Sequence, residues 1–551
     1  MAGVDGAVDR GTRIGTGVED YLYFTGRALD GMRAVLLELG DDLAAARPPW
    51  PGANTPFGLV THCLGVVEYW AGALVGGRNV VRDREAEFTA TGRVADLVAR
   101  IDACRGQLRE DLAGVDAAAP PRTTPDPDFQ GPDRPLDQGG VLFHVFEELS
   151  QHLGQLEVSR DVLLAGRPVE PFEPPLRWLR GKRGVKWSRP GPDVVPAWVA
   201  DMDYPVAPVI RAALVEAIDR GDLGYPDWPA DRHPLADVFT SRMVQRFGWD
   251  ADPLHVRGLT DVISGLQVVL DLATQPGDGV VLQEPNYPPF RATVPAMGRR
   301  PVPLPVVPDG DGWRHDLDAL EAALAQQPAR VLLLVNPHNP SGRVFGRDEL
   351  AAVADLAARH DLLVVSDEIH ADLVFDPHRH VPFASLGPEV AARTVTLTSA
   401  TKAFNIAGVR TALAHVGPEA LRRRWDAEPP DLHGVAGVLG VEATAAAWRD
   451  GDAWLDQLRA HLRERRDRLA AAVADLPGVN MRVPEATYLA WLDCHGARPG
   501  EDAAQALLRE GGVYASPGPD YGGPVDALRV NFATSAALLD DVIAGLGRTF
   551  G

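Results

Sequence analysis

Apolar residues recur at helical spacing through the first part of the chain. In YLYFTGRALDGMRAVLLELG, Leu22, Leu29, Met32, Leu36 and Leu39 fall at intervals that fit 3.6 residues per turn, and PFGLVTHCLGVVEYW, VADLVARIDACRGQLREDL and GGVLFHVFEELSQHLGQLEVSRDVLL repeat the pattern. No alternating strand pattern of any length intervenes between Val18 and about Ala165. Four long helices joined by polar, Pro-rich connections such as AAAPPRTTPDPDFQGPDRP predict an all-α four-helix bundle over residues 1–166. Pro168, Pro171, Pro174 and Pro175 then crowd into AGRPVEPFEPPLRW. Proline neither continues a helix nor donates to a sheet, so residues 167–175 are expected to form an extended linker. Beyond it the texture changes. Short β-branched runs (VVLQ, VLLLV, LLVVSDE, TVTLTS) alternate with helical segments, the pattern of a parallel sheet layered with helices over residues 176–551.

Charge narrows the partners. The 551 residues carry 54 Lys+Arg against 76 Asp+Glu, a net charge of −22 that repels phosphate backbones and anionic lipid. Nucleic-acid and membrane-surface binding are thereby disfavoured, and small-molecule partners are expected. Cys63, Cys104 and Cys494 are too few and too widely spaced for a disulfide scaffold or a CxxC-type zinc site, so reduced, buried thiols are expected. The N-terminus lacks an apolar signal core, and no stretch approaches the roughly 20 apolar residues that span a bilayer. A cytoplasmic protein is the expectation.

In the second module, several strands end in polar residues, and in open α/β sheets ligands sit beyond the strand C-termini. VLLLV runs into Asn336-Pro337-His338-Asn339-Pro340-Ser341-Gly342, LLVV into Ser366-Asp367-Glu368-Ile369-His370, and VTL into Thr398-Ser399-Ala400-Thr401-Lys402. An amide, an acid and a lysine can thus converge on one crevice. The fragments WVADMDYP (198–205), LGYPDW (223–228), PGDGVVLQEPNYPPF (276–290), NPHNPSGRV (336–344), SDEIHADLVF (366–375), SATKAFNIAG (399–408), ATYLAWLD (486–493) and LRVNFA (528–533) stand in family order. Together they resemble a fold-type I pyridoxal-phosphate enzyme, and within that group the MalY/PatB-type cystathionine β-lyases.

The resemblance implies an α/β fold with a large parallel or mixed-sheet domain at about 220–435 and a smaller α+β domain formed by about 176–219 and 436–551. It implies that Lys402 holds the cofactor as a Schiff base and later removes the substrate's Cα proton, and that Asp367 pairs with the pyridinium nitrogen. Asn339 is placed to hydrogen-bond the phenolic oxygen, Tyr287 to stack on the ring, and His370 to line the cofactor site. The phosphate would meet the backbone amides of Val262 and Ile263 at a helix N-terminus, with Ser399, Thr401 and Arg410 completing the cup. Asp261 sits oddly there, since a carboxylate beside a phosphate is repulsive, and its side chain is expected to cap the helix. Tyr225 matches a residue that reaches the phosphate of a neighbouring subunit, which implies a homodimer. Arg529 matches the arginine that grips the substrate α-carboxylate, a bidentate task.

Lyase and aminotransferase chemistry share this fold, so the fold does not decide between them. Transaminases of the fold usually carry Tyr three residues after the ring-nitrogen aspartate, whereas this chain has His370, as in the DEIHxD of the β-lyase group. The expectation is a carbon–sulfur β-lyase that converts L-cysteine S-conjugates to thiol, pyruvate and ammonia. The alternative is a class I/II aminotransferase carrying a non-catalytic binding or dimerisation module.

In the bundle, His62 lies in the second helix, while His144, Glu148 and His152 stack at spacings of four on one face of the fourth. Bundle cores are where facing helices build metal sites, although from the residues alone a buried polar network without metal stays open. With Trp50-Pro51-Gly52 and the HVFEELSQHLGQLEVSRDVLLAG ending, the module resembles the DinB/maleylpyruvate-isomerase-like family. That resemblance maps metal ligands to His62, Glu148 and His152, with His144 as a substitute or second partner. It implies a divalent metal, zinc by preference, and a low-molecular-weight thiol such as mycothiol. Three ligands and an open fourth position can lower the pKa of a bound thiol. Relatives often read HxGH where this chain has His152-Leu153-Gly154-Gln155. Joined in one chain, the modules suggest a sulfur relay.

Overall fold

The computed structural model describes residues 17–48, 52–126, 129, 131–132, 134–166, 172–228 and 232–551. Trp50, Pro51 and linker residues 167–171 lie outside them. The chain divides into two units, Met1–Pro168 and Val169–Gly551.

In the first unit, Pro56 occupies a first-turn position where its missing N–H costs nothing, and the Thr55 hydroxyl accepts the Gly58 amide at 3.0 Å, so Pro56–Val66 starts sharply. Every residue of that helix is buried. It continues as the π-helical stretch Val67–Val75, whose widened turn ends with the Gly76 amide donating to Ala71 O at 2.8 Å. Around it stand Val18–Ala44, kinked at Gly40 (φ 66°), Val94–Asp111 and Gln138–Gly166, with a short helix at Arg84–Thr89. Leu29, Met32 and Leu36, Val60 and Leu64, Ile101, and Val141, Val145 and Leu149 close one apolar core. Contrary to the expectation that no stretch is long and apolar enough to span a bilayer, the first unit contains one. Pro56–Val75 forms 20 continuous helical residues of mean hydropathy 1.3, long and apolar enough to cross a bilayer, yet 94% of that window is buried within the protein. It is the central helix of a bundle core.

The second unit is built on an eight-stranded sheet in the order Val256–Leu259, Ala412–Val416, Thr394–Thr398, Leu363–Asp367, Ala329–Val335, Gly279–Glu284, Arg300–Asp309, Gly312–His315. The inner strands are parallel, and the pairings of Val256–Leu259, Ala412–Val416 and Gly312–His315 are antiparallel. The inner strands are apolar on both faces because separate apolar clusters cover each side, one with Val262–Ala273 and one with Arg347–Arg359. A second, antiparallel sheet joins Asn480–Met481, Leu489–Asp493, Ala527–Asn531 and Ser516–Pro517. In Ala527–Asn531 the two-residue period directs Leu528 and Val530 to one face and Arg529 and Asn531 to the other.

Candidate functional site

The C-terminal ends of three adjacent strands open onto one pocket. Asp367 ends its strand, Asn339 follows Ala329–Val335, and Ser399, Thr401 and Lys402 follow Thr394–Thr398. All five line the pocket with Val262, Ile263, Tyr287, His370 and Arg410. Arg529 reaches the same place from the small sheet: its Nη1 donates to Asn339 Oδ1 at 3.0 Å and its Nη2 to Trp198 O at 2.6 Å. Tyr225 is not among the lining residues and is fully exposed in the single chain.

Desolvation governs the pocket's charges. Burial raises Asp367 to about 7, although the Ile369 amide donates to its Oδ1 at 3.1 Å. Burial lowers Lys402 to about 8, with Arg529 adding to the effect and Asp201 and Asp367 opposing it. Burial also takes His370 down to about 3, helped by Lys402 and Arg529, so its imidazole is neutral, and its buried Nδ1 has no hydrogen-bond partner among the described residues. A buried acid with one backbone donor, a depressed amine and an arginine fork face one another across a small crevice.

Sequence reasoning missed the strap that carries the pocket's other wall, Trp198–Tyr204. Ala200 O accepts both Lys402 Nζ at 2.8 Å and the Tyr488 hydroxyl at 3.0 Å. Asn531 Nδ2 donates to Val199 O and Asp201 O, each at 2.7 Å. Asn405, at φ 56°, accepts the Met202 amide at 3.0 Å and donates to Met202 O at 3.1 Å and Tyr204 O at 2.8 Å. Lys186 pairs with Asp203 at 3.0 Å, both buried. The signal was present in WVADMDYP and in the amides of FNIAG and RVNF, but the partners lie hundreds of residues apart.

At the pocket's other end, Val262–Ala273 begins with Asp261 as its cap: Oδ1 accepts the Ser264 amide at 2.8 Å, and Ser264 Oγ returns to the Asp261 amide at 3.3 Å. The expected cap is therefore present. The Val262 and Ile263 amides, in the first turn, have no intrahelical acceptor. Ser399 Oγ lies 2.9 Å from Thr401 Oγ1 and 2.6 Å from Thr411 O.

In the first unit, one ligand atom each from His62, Glu148 and His152 lie within 4.8 Å of one another. Glu148 Oε2 is 3.7 Å from His62 Nε2 and 3.4 Å from His152 Nε2. The opposite nitrogens are tied back, His62 Nδ1 to Glu87 Oε2 at 2.8 Å and His152 Nδ1 to Gln155 Oε1 at 3.1 Å. Both Nε2 atoms are thereby left facing the carboxylate, the orientation in which outer partners hold metal-binding imidazoles. Glu87 is clamped in turn by Arg82 at 2.8 and 2.9 Å. The histidines hold Glu148 well below the carboxylate range, His152 contributing most. Burial opposes charge on His62, yet Glu148 and Glu87 keep it above its ordinary value. His144 stands apart from the trio: it packs edge-on to Trp70 with centroids 4.7 Å apart, and its buried Nδ1 lies 3.7 Å from Glu147 Oε2 without a hydrogen bond among the described residues. Glu87, on a short helix, was not legible as a partner. Gln155, which departs from the HxGH pattern, supports His152 from behind. Cys63 is buried and its thiol pushed up by that burial and by Glu148, so it is no thiolate donor.

Residues 200–546 match the sequence profile of the family described as aminotransferase class I and II. Residues 23–164 match that of mycothiol-S-transferase. Among the relatives of this chain, cystathionine beta-lyase PatB of Bacillus subtilis is 36% identical over 374 residues, covering 66% of this chain and 95% of PatB. Cystathionine beta-lyase of Corynebacterium glutamicum is 33% identical over 368 residues, covering 67% and 97%. The crystal structure of a putative PLP-dependent beta-cystathionase from Corynebacterium diphtheriae superposes with a TM-score of 0.63 at 30% identity, over 68% of this chain and 98% of that one.

Proposed function

Because the chain belongs to the class I and II aminotransferase family, we propose that its second unit is a pyridoxal-phosphate-dependent carbon–sulfur β-lyase acting on L-cysteine S-conjugates of the cystathionine type. The observation that carries this reading is the convergence of Lys402, Asp367, Asn339 and Arg529 on one crevice.

The donor set fits the cofactor. Asp367, buried with one backbone partner, suits a ring nitrogen that brings its own proton. Asn339 suits the phenolic oxygen, Tyr287 the ring face, and His370 the adjoining wall. The Val262 and Ile263 amides, the Ser399 and Thr401 hydroxyls and Arg410 suit the phosphate. When bound, the cofactor supplies an electron sink that acidifies the Cα–H bond of an amino acid. Lys402 would anchor it and, once freed as an amine held at about 8, would take the Cα proton near neutral pH. Arg529 turns its fork to the substrate α-carboxylate. The Cβ–S bond then breaks with the electron pair leaving on sulfur, and water completes the balance: thioether amino acid plus water gives thiol, pyruvate and ammonia. His370 favours elimination over amino transfer by analogy with the β-lyase relatives.

Tyr225, exposed here and matched to a residue that serves a neighbouring subunit, supports a homodimer in which it completes the partner copy's phosphate cup. In the bundle, proposed to span residues 1–166 ahead of a linker at 167–175, His62, Glu148 and His152 would bind a divalent metal, zinc, with an open position for a low-molecular-weight thiol such as mycothiol. The tied-back Nδ1 atoms support that assignment. Thiol transfer and C–S cleavage in one chain would form a sulfur relay.

The test is incubation of the purified protein with L-cystathionine and other cysteine S-conjugates, following thiol and pyruvate. Wild type should release both and Lys402→Ala neither. Amino transfer to 2-oxoacids without thiol release would instead identify an aminotransferase. Elemental analysis of the same preparation should find near-stoichiometric metal, lost in His62→Ala; absence of metal from wild type would leave the bundle a binding or dimerisation module.

A further inference from the structure

Arg410 is the guanidinium at the phosphate end of the pocket, and it is not free to meet a phosphate: its Nη2 pairs with Asp261 Oδ2. The same carboxylate oxygen accepts the Thr260 hydroxyl at 3.3 Å, while Oδ1 caps the helix at Ser264. Asp261 thus engages Arg410, which a phosphate would recruit, together with the neighbouring Thr260 hydroxyl on the same rim, and it lines the pocket itself. Three-quarters of its side chain is shielded, whereas Arg410 is 65% exposed. The cup's cationic charge is neutralised from within the chain, leaving the first-turn amides and the hydroxyls of Ser399 and Thr401 as its uncommitted attraction for an anion. Ser399 is itself shared with Thr411 O. A helix cap does not require this charge, since Asn and Ser cap as well as Asp.

We propose that Asp261 is a built-in competitor for the cofactor's phosphate, occupying Arg410 and Thr260 in the cofactor-free protein and limiting affinity so that the cofactor exchanges with solution. The phosphate must displace the carboxylate from Arg410 and then reside beside a like charge. Both effects act on the phosphate and neither acts on the ring. This deepens the cofactor reading above and rests on it.

The experiment compares cofactor-free wild type and Asp261→Asn, titrated with pyridoxal phosphate and, separately, with pyridoxal, following the absorbance of the bound chromophore. Asn keeps the cap acceptor and removes the charge; Asp261→Ser serves the same purpose should the first variant fail to fold. Pyridoxal phosphate should bind Asp261→Asn at least about tenfold more tightly, about 1.4 kcal/mol, and dissociate correspondingly more slowly. Pyridoxal should bind both proteins alike, and inorganic phosphate should displace the cofactor from the variant only at higher concentration. Adding Arg410→Gln to Asp261→Asn should erase most of the gain. Unchanged or weaker binding of pyridoxal phosphate, or equal tightening for pyridoxal, overturns the proposal while leaving the cofactor reading intact. Wild type that takes up neither chromophore sinks the cofactor reading itself, and this inference with it.

Discussion

Asn405 is the residue on which the strap's geometry turns, and its replacement yields a number from the structure. Asn405→Ala removes three hydrogen bonds to Met202 and Tyr204, two strap residues that are almost wholly buried. At a net worth of about 1 kcal/mol each these bonds contribute about 3 kcal/mol. Asn405 also sits at φ 56°, a conformation Asn tolerates and Ala resists at a cost of roughly 1–2 kcal/mol. Alanine should therefore destabilise the second unit by about 4 kcal/mol, and Asn405→Gly, which loses the bonds without the strain, by about 3 kcal/mol. That is a large fraction of the roughly 5–15 kcal/mol holding a domain together. Urea unfolding of the three proteins gives the midpoints, and hydrogen exchange at the Met202 amide should accelerate in both variants. A midpoint unmoved in both would refute the assignment of the strap to Asn405, and equal losses in Ala and Gly would refute the strain term.

Two other expectations concern the charged groups. Asp367 titrates at about 7 in the fold against 3.8 for the ordinary group. Between those values the folded protein holds a proton that the unfolded chain has lost, so the cofactor-free protein loses stability as pH rises through the window. Asp367→Asn should remove that loss, gaining at most about 4 kcal/mol above pH 7; thermal melts at pH 4.5 and 8 in which the variant's advantage does not grow with pH would contradict the cause given. In the bundle, a Cβ on Gly65 would fall 1.9 Å from Glu87 Oε1, so Gly65→Ala should push Glu87 off His62 and, like Glu87→Gln, weaken binding of the proposed metal about 10–100-fold in chelator competition without touching a proposed ligand. Unchanged affinity in both would remove Glu87 from the site.

Chemistry that repeats at fixed spacing was readable from the chain, and chemistry assembled across it was not. Lys402, Asp367 and Asn339 stood out because each closes an apolar run, and strand ends face the crevice of such a sheet. Glu148 and His152 stood out because four residues return a helix to the same face. Glu87 had no such marker: it reaches His62 from a six-residue helix that no long apolar period announces. Asn405 and Asn531 looked like loop and strand polar residues until the strap, more than 200 residues earlier for Asn405, came to lie beside them. The buried 20-residue stretch at Pro56–Val75 shows the complementary failure. The continuing run of apolar positions conceals a change of helical pitch at Val67, and the hydrophobic pattern records burial without recording the width of the turn.

Arg529 rests its fork on two uncharged oxygens, Asn339 Oδ1 and Trp198 O. A ligand that arrives with an amide or ester in place of a carboxylate would exchange one neutral acceptor for another and gain almost nothing by the trade. Only an anion improves on what the arginine already has. The preference of this fork for an anionic group over a neutral one is therefore set by the contacts the side chain must give up, before any ligand is bound.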